Sequence, residues 1–357
     1  MGMYPASVIH GRSDSGSRIG CSTLSAVTGA VCMVVTGSTL SSSGRVRCAG
    51  FSYPARGNGG TVIDMIVITG ATGTIGGEVA RQLAARGEKV RAVTRDPARA
   101  DLPTGVEVVR GDYRDAASLA AALTGAEAAF LVGQLGPGYE ELDPALAAAA
   151  RDAGVRRMVK LSAIGTGESD QPVNTRHLPG EQVLRDSGAV WTILRPSMFA
   201  TNTLRWAAAI RGGNPVPNMT GDGGQGVTDP RDIAAVAVEA LLSDDHAGQI
   251  YTLTGPAVLN THELAAILST VLHRTIEVVD IPLEVARKNY IAAGASPEFA
   301  DIAMAGQAFV RDNGNAVVTS DIERVLGRPP HTYAQWAADH VAAFLTAPLP
   351  GGPGKHL

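Results

Sequence analysis

Three glycines between a short apolar run and a helix-forming segment have the clearest chemical potential in this chain. Gly70, Gly73 and Gly76 directly follow the run at residues 65–69. In such a turn one glycine permits a tight bend, the next lets the backbone approach a pyrophosphate, and the third lets helix and strand pack closely. The free N–H groups of the helix then favour an anion. This Gly-x-x-Gly-x-x-Gly spacing, in its strand-turn-helix context, predicts a dinucleotide site.

The end of the next predicted strand indicates which dinucleotide would bind. The chain reads Thr94-Arg95-Asp96 at the point where a fold of this kind meets the adenosine ribose. An acidic residue there usually selects NAD, whereas a guanidinium can grip a 2′-phosphate with two hydrogen bonds. Arg95 therefore favours NADP(H) over NAD(H). The alternative is that Arg95 is an exposed turn residue and that Asp96 contacts the ribose.

Other candidate contacts lie directly after later strands. Asp112 and Tyr113 follow the third strand, where the Asp112 carboxylate could accept a hydrogen bond from the adenine amino group; a plain turn is the alternative. Gly133 follows the fourth strand and is expected beside the cofactor's ribose, unless it belongs to a flexible loop. Ser162 ends the fifth strand, at the edge where ligands bind in such folds. Its hydroxyl could hold a substrate oxygen or only cap the strand.

These candidates depend on an alternation of strands and helices that begins at Met65. The spacing is that of βαβ units, which predicts the α/β class with a doubly wound parallel Rossmann sheet. Strands are predicted at residues 89–94, 106–110, 128–132, 157–162 and 190–194, with helices at 116–123 and 144–153.

The regular alternation ends at residues 195–196. Glycine-rich loops, two isolated strands at 249–253 and 275–281 and several helices then predict a smaller α+β substrate-side domain. We divide the chain into an NAD(P)-binding Rossmann domain at 65–195 and this smaller domain at 196–357. Asp232 is expected to cap a helix that begins at Ile233.

Residues 1–64 are rich in Ser, Gly, Thr and Arg and lack a sustained period, so we predict a disordered or non-native extension, with translation starting at or near Met65. All three cysteines, Cys21, Cys32 and Cys48, lie in it, so the predicted folded body uses no thiol chemistry. An export signal is the less favoured interpretation, and we expect a cytoplasmic protein.

Composition excludes several classes of partner. The chain has 357 residues, 45% of them hydrophobic, and a net charge of −4 without a Lys/Arg run, which argues against nucleic acid and acidic membranes. Its apolar stretches are shorter than the about 18 residues of a membrane span. The histidines have no metal-ligand spacing, so no metal is expected. A homodimer is compatible with the sequence, although nothing marks its interface.

Seven motifs between residues 65 and 345 match one known family. They are residues 69–76, 93–95, 111–113, 161–162, the pair His177 and Glu181, 191–202 and 229–234. Together they resemble the atypical short-chain dehydrogenase/reductase superfamily in its NmrA-like branch, and most of all its quinone reductase and triphenylmethane reductase-like group. The resemblance implies an NADPH-dependent reductase. It also implies that Phe199 and Asn202 border the nicotinamide and the substrate.

The proton relay usual in that superfamily is absent from this sequence. It consists of a Tyr-x-x-x-Lys pair, in which the lysine lowers the pKa of the tyrosine so that it can protonate the substrate. No lysine here follows a tyrosine at that spacing, and the pair's positions hold Val173 and His177. A quinone remains a feasible acceptor because its reduced oxygen has a pKa of about 10 and needs little acid help. His177 is the best candidate to orient the acceptor or to donate a proton; an exposed residue before a helix is the alternative.

We therefore predict an NAD(P)H-dependent oxidoreductase that transfers a hydride from NADPH to a small quinone-like or conjugated acceptor. The alternative is a non-catalytic NADP(H)-binding redox sensor, which the lost Tyr-Lys pair favours; a nucleotide-sugar epimerase ranks third. Predicted catalytic residues are His177 and Ser162, and predicted substrate contacts are His177, Phe199 and Asn202. Predicted cofactor contacts are Gly70, Thr72, Gly73, Thr74, Ile75, Gly76, Arg95, Asp112, Tyr113, Gly133, Ser162 and Phe199.

Overall fold

A seven-stranded, wholly parallel sheet organises the molecule, whose computed structural model describes residues 64–133, 138–168 and 175–346. The sheet consists of β1 Ile66–Ile68, β2 Val90–Thr94, β3 Glu107–Arg110, β4 Ala128–Val132, β5 Arg157–Leu161, β6 Val190–Pro196 and β10 Gln249–Leu253. Its order is β3-β2-β1-β4-β5-β6-β10, with every neighbouring pair parallel. This order confirms the predicted doubly wound Rossmann sheet and puts its switch point between β1 and β4, where ligands bind beyond the strand ends.

Helices cover both faces of the sheet. The described helices, including those of the C-terminal section, are in chain order α1 Thr74–Ala85, α2 Ala116–Leu123, α3 Tyr139–Asp152, α4 Leu178–Arg185, α5 Ala207–Gly212, α6 Pro230–Leu242, α7 Thr261–Leu272, α8 Leu283–Ala292, α9 Pro297–Arg311, α10 Asp321–Leu326, α11 Tyr333–Asp339 and α12 Val341–Leu345. Ile66 and Ile68 pack with α1 and α6 on one face, whereas Val67 packs with α2, α3 and α4 on the other. This alternation follows from the two-residue period of a strand, and burial on both faces explains the continuous apolar run.

The remaining strands belong to the C-terminal section. A three-stranded sheet has the order β11-β9-β7, with β7 Met198–Phe199, β9 Gln225–Thr228 and β11 Val258–Leu259, and β8 Val216–Asn218 pairs with β12 Val278–Asp280. Beside them Trp206, Leu264, Trp336 and Phe344 form a separate core. In the described part of the chain no helix combines the length and the hydropathy needed to cross a membrane.

Two predicted elements differ from the structure. The strand at Gln249–Leu253 is not isolated, because it pairs in parallel with β6 as the seventh strand of the central sheet. Helix α3 begins at Tyr139, before the predicted start at residue 144, and Pro144 lies inside it. Proline usually stands at the start of a helix, which is why the sequence predicts a helix that begins at residue 144. The helix extends further because Glu140 and Glu141 in its first turn complement the positive end of the helix dipole.

The predicted helix cap at Asp232 is wrong. Helix α6 starts at Pro230, and Asp229 is its N-cap, accepting a hydrogen bond from the backbone N–H of Arg231. The buried Asp232 carboxylate instead binds Arg328 at 2.7 Å and His331 at 2.8 Å. It therefore ties the sheet-covering helix to the C-terminal segment, a long-range role that local spacing does not reveal.

The domain division at residue 195 stays a prediction, with one change. Although both elements follow that boundary, β10 is a strand of the central sheet and α6 packs against it. The predicted N-terminal extension lies outside the described residues except for Asp64, as do the three cysteines and Val173.

Candidate active site

The glycine turn after β1 has the geometry of a phosphate cradle. Gly70 has a φ of +61°, and Gly73 is the N-cap of α1 with no side chain to occupy the free N–H groups of the first turn. A Cβ atom on Gly76 would lie 2.4 Å from the carbonyl oxygen of Gly70, which is backbone and cannot rotate away. The Thr69 hydroxyl joins β1 to β4 by donating to the Phe130 carbonyl and accepting from the Val132 N–H. These residues fit a bound dinucleotide pyrophosphate.

Side chains around this turn divide between solvent and core. Thr72 is exposed and Thr74 half-buried, so both hydroxyls remain accessible at the helix start. Ile75 is buried in the core beneath the sheet, and only its backbone is available to a cofactor. All three stay predicted cofactor contacts.

Arg95 is exposed at the end of β2 and forms no ion pair with the described residues, so its guanidinium is available to a phosphate. Asp112 is partly engaged in its own turn, because its carboxylate accepts the backbone N–H of Arg114 at 3.0 Å. The Tyr113 hydroxyl donates to the Val132 carbonyl at 2.7 Å, and burial raises the pKa of Tyr113 to about 12. Tyr113 thus holds the ends of β3 and β4 together beside Gly70.

A buried charged cluster lies behind Gly133. We name Tyr139, Asp143, Lys160 and His177 the Asp143 cluster. The Lys160 ammonium on β5 pairs with Asp143 of α3 at 2.6 Å, and each side chain is 1% exposed. A Cβ atom on Gly133 would lie 2.4 Å from Asp143 Oδ1, so only glycine fits this approach. Burial raises the pKa of Asp143 against the opposing effect of Lys160.

Tyr139 contacts His177 directly through its hydroxyl and the ring Nδ1. Burial, followed by the charge of Asp143, raises the pKa of Tyr139, so the phenol keeps its proton. Burial and the positive charges of Lys160, Arg176 and Arg195 lower the pKa of His177 to about 3, so the imidazole is neutral. The Tyr139 hydroxyl lies within hydrogen-bond distance of His177 Nδ1, whereas the neighbouring Asp143 carboxylate bonds Lys160 through Oδ1 and forms no bond of good geometry through Oδ2 with the described residues. We therefore assign Tyr139 as donor to Nδ1, which leaves the imidazole proton on Nε2.

Ser162 belongs to a neighbouring ionic network. Its hydroxyl donates to the buried Glu181 carboxylate at 2.6 Å. Glu181 also receives Arg185 at 2.7 Å and two nitrogens of Arg195 at 3.0 and 2.7 Å. With its proton directed at Glu181, Ser162 can offer a substrate only its lone pairs. Glu181, predicted as the partner of His177 in a motif, instead orients Ser162 and Arg195.

A cavity of about 290 Å³ opens one residue beyond Ser162, between the ends of β5 and β6 and the C-terminal section. Asn202, a predicted substrate contact, lines it together with Trp206 from the short 3₁₀ helix Ala200–Trp206. Phe199 is partly buried against the core of the sheet and is not a lining residue. His177 also lies outside the lining, so the cavity and the Asp143 cluster are separate parts of the structure.

The sequence interpretation missed Tyr139, Asp143 and Arg195 as site residues. One signal was present: Lys160 interrupts the apolar run of a parallel strand, and a lysine buried there needs a carboxylate partner. The identity of that partner depends on how α3 packs over β5. Within the described ranges, no group of three or more His, Cys, Asp or Glu side chains is arranged to hold a metal.

Comparison with known proteins agrees with this geometry. The model of an NAD(P)H-binding family matches residues 70–244. The (4-alkanoyl-5-oxo-2,5-dihydrofuran-3-yl)methyl phosphate reductase of Streptomyces griseus is 40% identical over 283 residues, which is 78% of this chain and 99% of that protein. The chain belongs to the NAD(P)H-binding family. Within it, the NAD(P)H azoreductase of Xenophilus azovorans is 38% identical over 79% of this chain and 100% of the relative.

Solved structures place this chain in the atypical short-chain dehydrogenase/reductase, NmrA-like group. The NADPH-dependent quinone oxidoreductase of Escherichia coli, complexed with NADPH, superposes with a TM-score of 0.69 at 26% identity, covering 77% of this chain and 99% of that one. The Citrobacter sp. triphenylmethane reductase complexed with NADP(H) reaches a TM-score of 0.68 at 24% identity over 77% and 99%, and supports the fold. The protein is an NAD(P)H-dependent reductase.

Proposed function

We propose that this reductase uses NADPH in preference to NADH and reduces a small conjugated acceptor, such as a quinone, an azo compound or an unsaturated lactone. The observation that carries the proposal is the contact of Tyr139 with a neutral His177, which leaves the imidazole Nε2–H as a donor at the sheet edge. The names of the similar reductases support this acceptor class.

The chain's own residues would hold the cofactor at two points. The free backbone N–H groups of Thr74, Ile75 and Gly76 in the first turn of α1 would bind the pyrophosphate, and Arg95 would bind the 2′-phosphate. When bound, NADPH supplies the hydride. The protein's further task is to exclude water and to hold the acceptor beside the nicotinamide. The cavity of about 290 Å³ at the strand ends would hold the body of the acceptor, and the reacting oxygen would extend beyond the lining to reach His177.

His177 acts as a neutral hydrogen-bond donor to the oxyanion that develops on the acceptor. An imidazolium acid is not available, because the pKa of His177 is about 3 and Lys160, Arg176 and Arg195 oppose a further positive charge. The Nε2–H stabilises the oxyanion, and solvent supplies the proton that completes the reduction, since a quinol oxygen of pKa about 10 protonates at neutral pH. Tyr139 orients the ring and keeps its own proton.

His177→Ala is expected to lower kcat for quinone reduction by about tenfold, with NADPH affinity unchanged, because one hydrogen bond to the developing charge is lost. His177→Gln should retain most activity, since its amide can accept from Tyr139 and still donate.

The wild-type kcat should show no titration between pH 5 and 8, because the pKa of His177 is about 3. Steady-state kinetics over this range test all three statements, and a fall in kcat with an apparent pKa near 6.5 would contradict the neutral donor.

Arg95→Gln is expected to raise the KM for NADPH by about tenfold and to leave the KM for NADH unchanged, because the guanidinium is proposed to meet only the 2′-phosphate. Arg81→Gln serves as control, because it also removes one positive charge but does so on the exposed face of α1 and not at the end of β2. Equal effects of Arg95→Gln on both cofactors would show that Arg95 does not select between them.

NADPH oxidation by the full chain against small quinones tests the function as a whole. Turnover supports the reductase. Tight NADPH binding without oxidation of any quinone, azo or lactone acceptor would favour the sensor that sequence alone left open, and absence of NADPH binding would contradict both.

A further inference from the structure

The cavity beside the strand ends has an unusual charge content. Its lining contains one charged side chain, Arg205, among amides, hydroxyls and apolar groups. The apolar part includes Ile164, Met198, Trp206, Leu264 and Phe309. None of the described lining residues carries a carboxylate, so among them an apolar surface is combined with the single positive charge of Arg205.

Arg205 is held in a position that leaves its terminal nitrogens available. Its Nε donates to the Asn202 carbonyl at 2.7 Å, within the same short 3₁₀ helix. The residues that the structure describes provide no carboxylate within ion-pair distance of this guanidinium, although most other arginines of the chain have one. A guanidinium anchored at Nε presents its two terminal nitrogens as a planar fork, which matches the oxygens of a carboxylate, sulfonate or phosphate.

Two buried polar atoms of the lining lack a partner. Ser197 is 6% exposed and Asn315 8%, and neither Ser197 Oγ nor Asn315 Oδ1 has a hydrogen-bond partner in the part of the chain that the structure describes. A buried polar atom without a hydrogen-bond partner destabilises the folded protein, because it has lost its bonds to water and gained none in return. This cost is removed if a ligand with polar atoms occupies the cavity, so these two atoms point to a ligand independently of Arg205.

We propose that the acceptor reduced by this protein carries an anionic substituent, which Arg205 binds, while Ser197 and Asn315 bond polar atoms of the same molecule. The apolar lining then covers the conjugated body of the acceptor. This inference rests on the proposed reductase function and adds a substrate class to it: conjugated acceptors that bear a carboxylate, sulfonate or phosphate monoester group.

Binding of an unreactive matched pair tests the proposal without turnover. The probes are naphthalenesulfonate and its neutral sulfonamide, titrated by calorimetry into the full chain saturated with NADP⁺, with phenyl phosphate as a third probe for the phosphate class. Wild type should bind the sulfonate at least about tenfold more tightly than the sulfonamide. Arg205→Gln should abolish that difference and Arg205→Lys should retain part of it.

Arg151→Gln is the matched control. Arg151 lies in the last turn of α3, which leads into the start of β5, so it is at the opposite edge of the sheet from the cavity. Its loss should leave both affinities unchanged. Equal affinity of wild type for the two naphthalene probes, or an anion preference that survives Arg205→Gln, would overturn the proposal. Quinone turnover without anion preference removes this inference alone. Anion preference without any turnover removes the reductase proposal and shows Arg205 as an anion site that does not serve a reduced acceptor.

Discussion

Replacing Lys160 with methionine is expected to lower the free energy of unfolding by about 3–5 kcal/mol, because it leaves the Asp143 carboxylate buried without its counter-ion. Both side chains are 1% exposed, and the second carboxylate oxygen of Asp143, Oδ2, has no hydrogen-bond partner among the described residues. Chemical denaturation followed by circular dichroism measures the loss directly. In a thermal scan the melting temperature should fall by roughly 10 °C.

The loss should depend on pH in a defined direction. Burial already raises the pKa of Asp143, and without Lys160 the pKa must rise further. The folded variant then retains a proton that the unfolded chain releases above its pKa of about 3.9, so stability falls as pH rises. The deficit against wild type should therefore be larger at pH 8 than at pH 5.

Two further variants separate the buried charge from lost packing. Lys160→Met combined with Asp143→Asn removes both charges. We expect this double variant to recover much of the lost stability and to show no such pH dependence. Lys89→Met, at an exposed position before β2, should change stability by less than about 0.5 kcal/mol. A single Lys160→Met variant as stable as wild type would mean that Asp143 is not held as a charged group.

Gly76→Ala is expected to weaken NADPH binding by at least about 100-fold and to destabilise the fold by about 1–3 kcal/mol. The added Cβ would lie 2.4 Å from the Gly70 carbonyl oxygen and 3.0 Å from that of Thr69, and neither backbone atom can move without opening the turn. The first-turn N–H groups would then no longer converge on one anion. Calorimetric titration of NADPH and denaturation of the same sample measure both effects.

Gly87→Ala is the control for this substitution. Gly87 follows the other end of α1 with a φ of +77° and has open space where its Cβ would stand. Strain at a positive φ should cost about 1 kcal/mol of stability and leave NADPH affinity unchanged. If Gly76→Ala binds NADPH as tightly as Gly87→Ala does, the cofactor does not use this turn.

Local pattern accounts for the parts of the fold that could be predicted. The apolar run at Ile66–Ile68, the glycines after it and the capped helix at Ala116–Leu123 are recorded in neighbouring residues, because strand and helix periods and turn chemistry act over a few positions. The glycine turn could be predicted for the same reason. The strand at Gln249–Leu253 was recognised as a strand, yet its place beside β6 depends on how a distant segment packs.

The sequence by itself determined the fold class and the glycine turn, because each depends on residues that are close together in the chain. It also determined the reductase family, through the resemblance of several short motifs. Only the tertiary structure decided the surroundings of His177 and Ser162. Tyr139 reaches His177 across 38 positions, Glu181 reaches Ser162 across 19, and Lys160 meets Asp143 across 17. The charge state of each group depends on burial and on these partners, which no local pattern specifies. The protonation states that support a neutral donor at His177 are therefore a property of the folded chain.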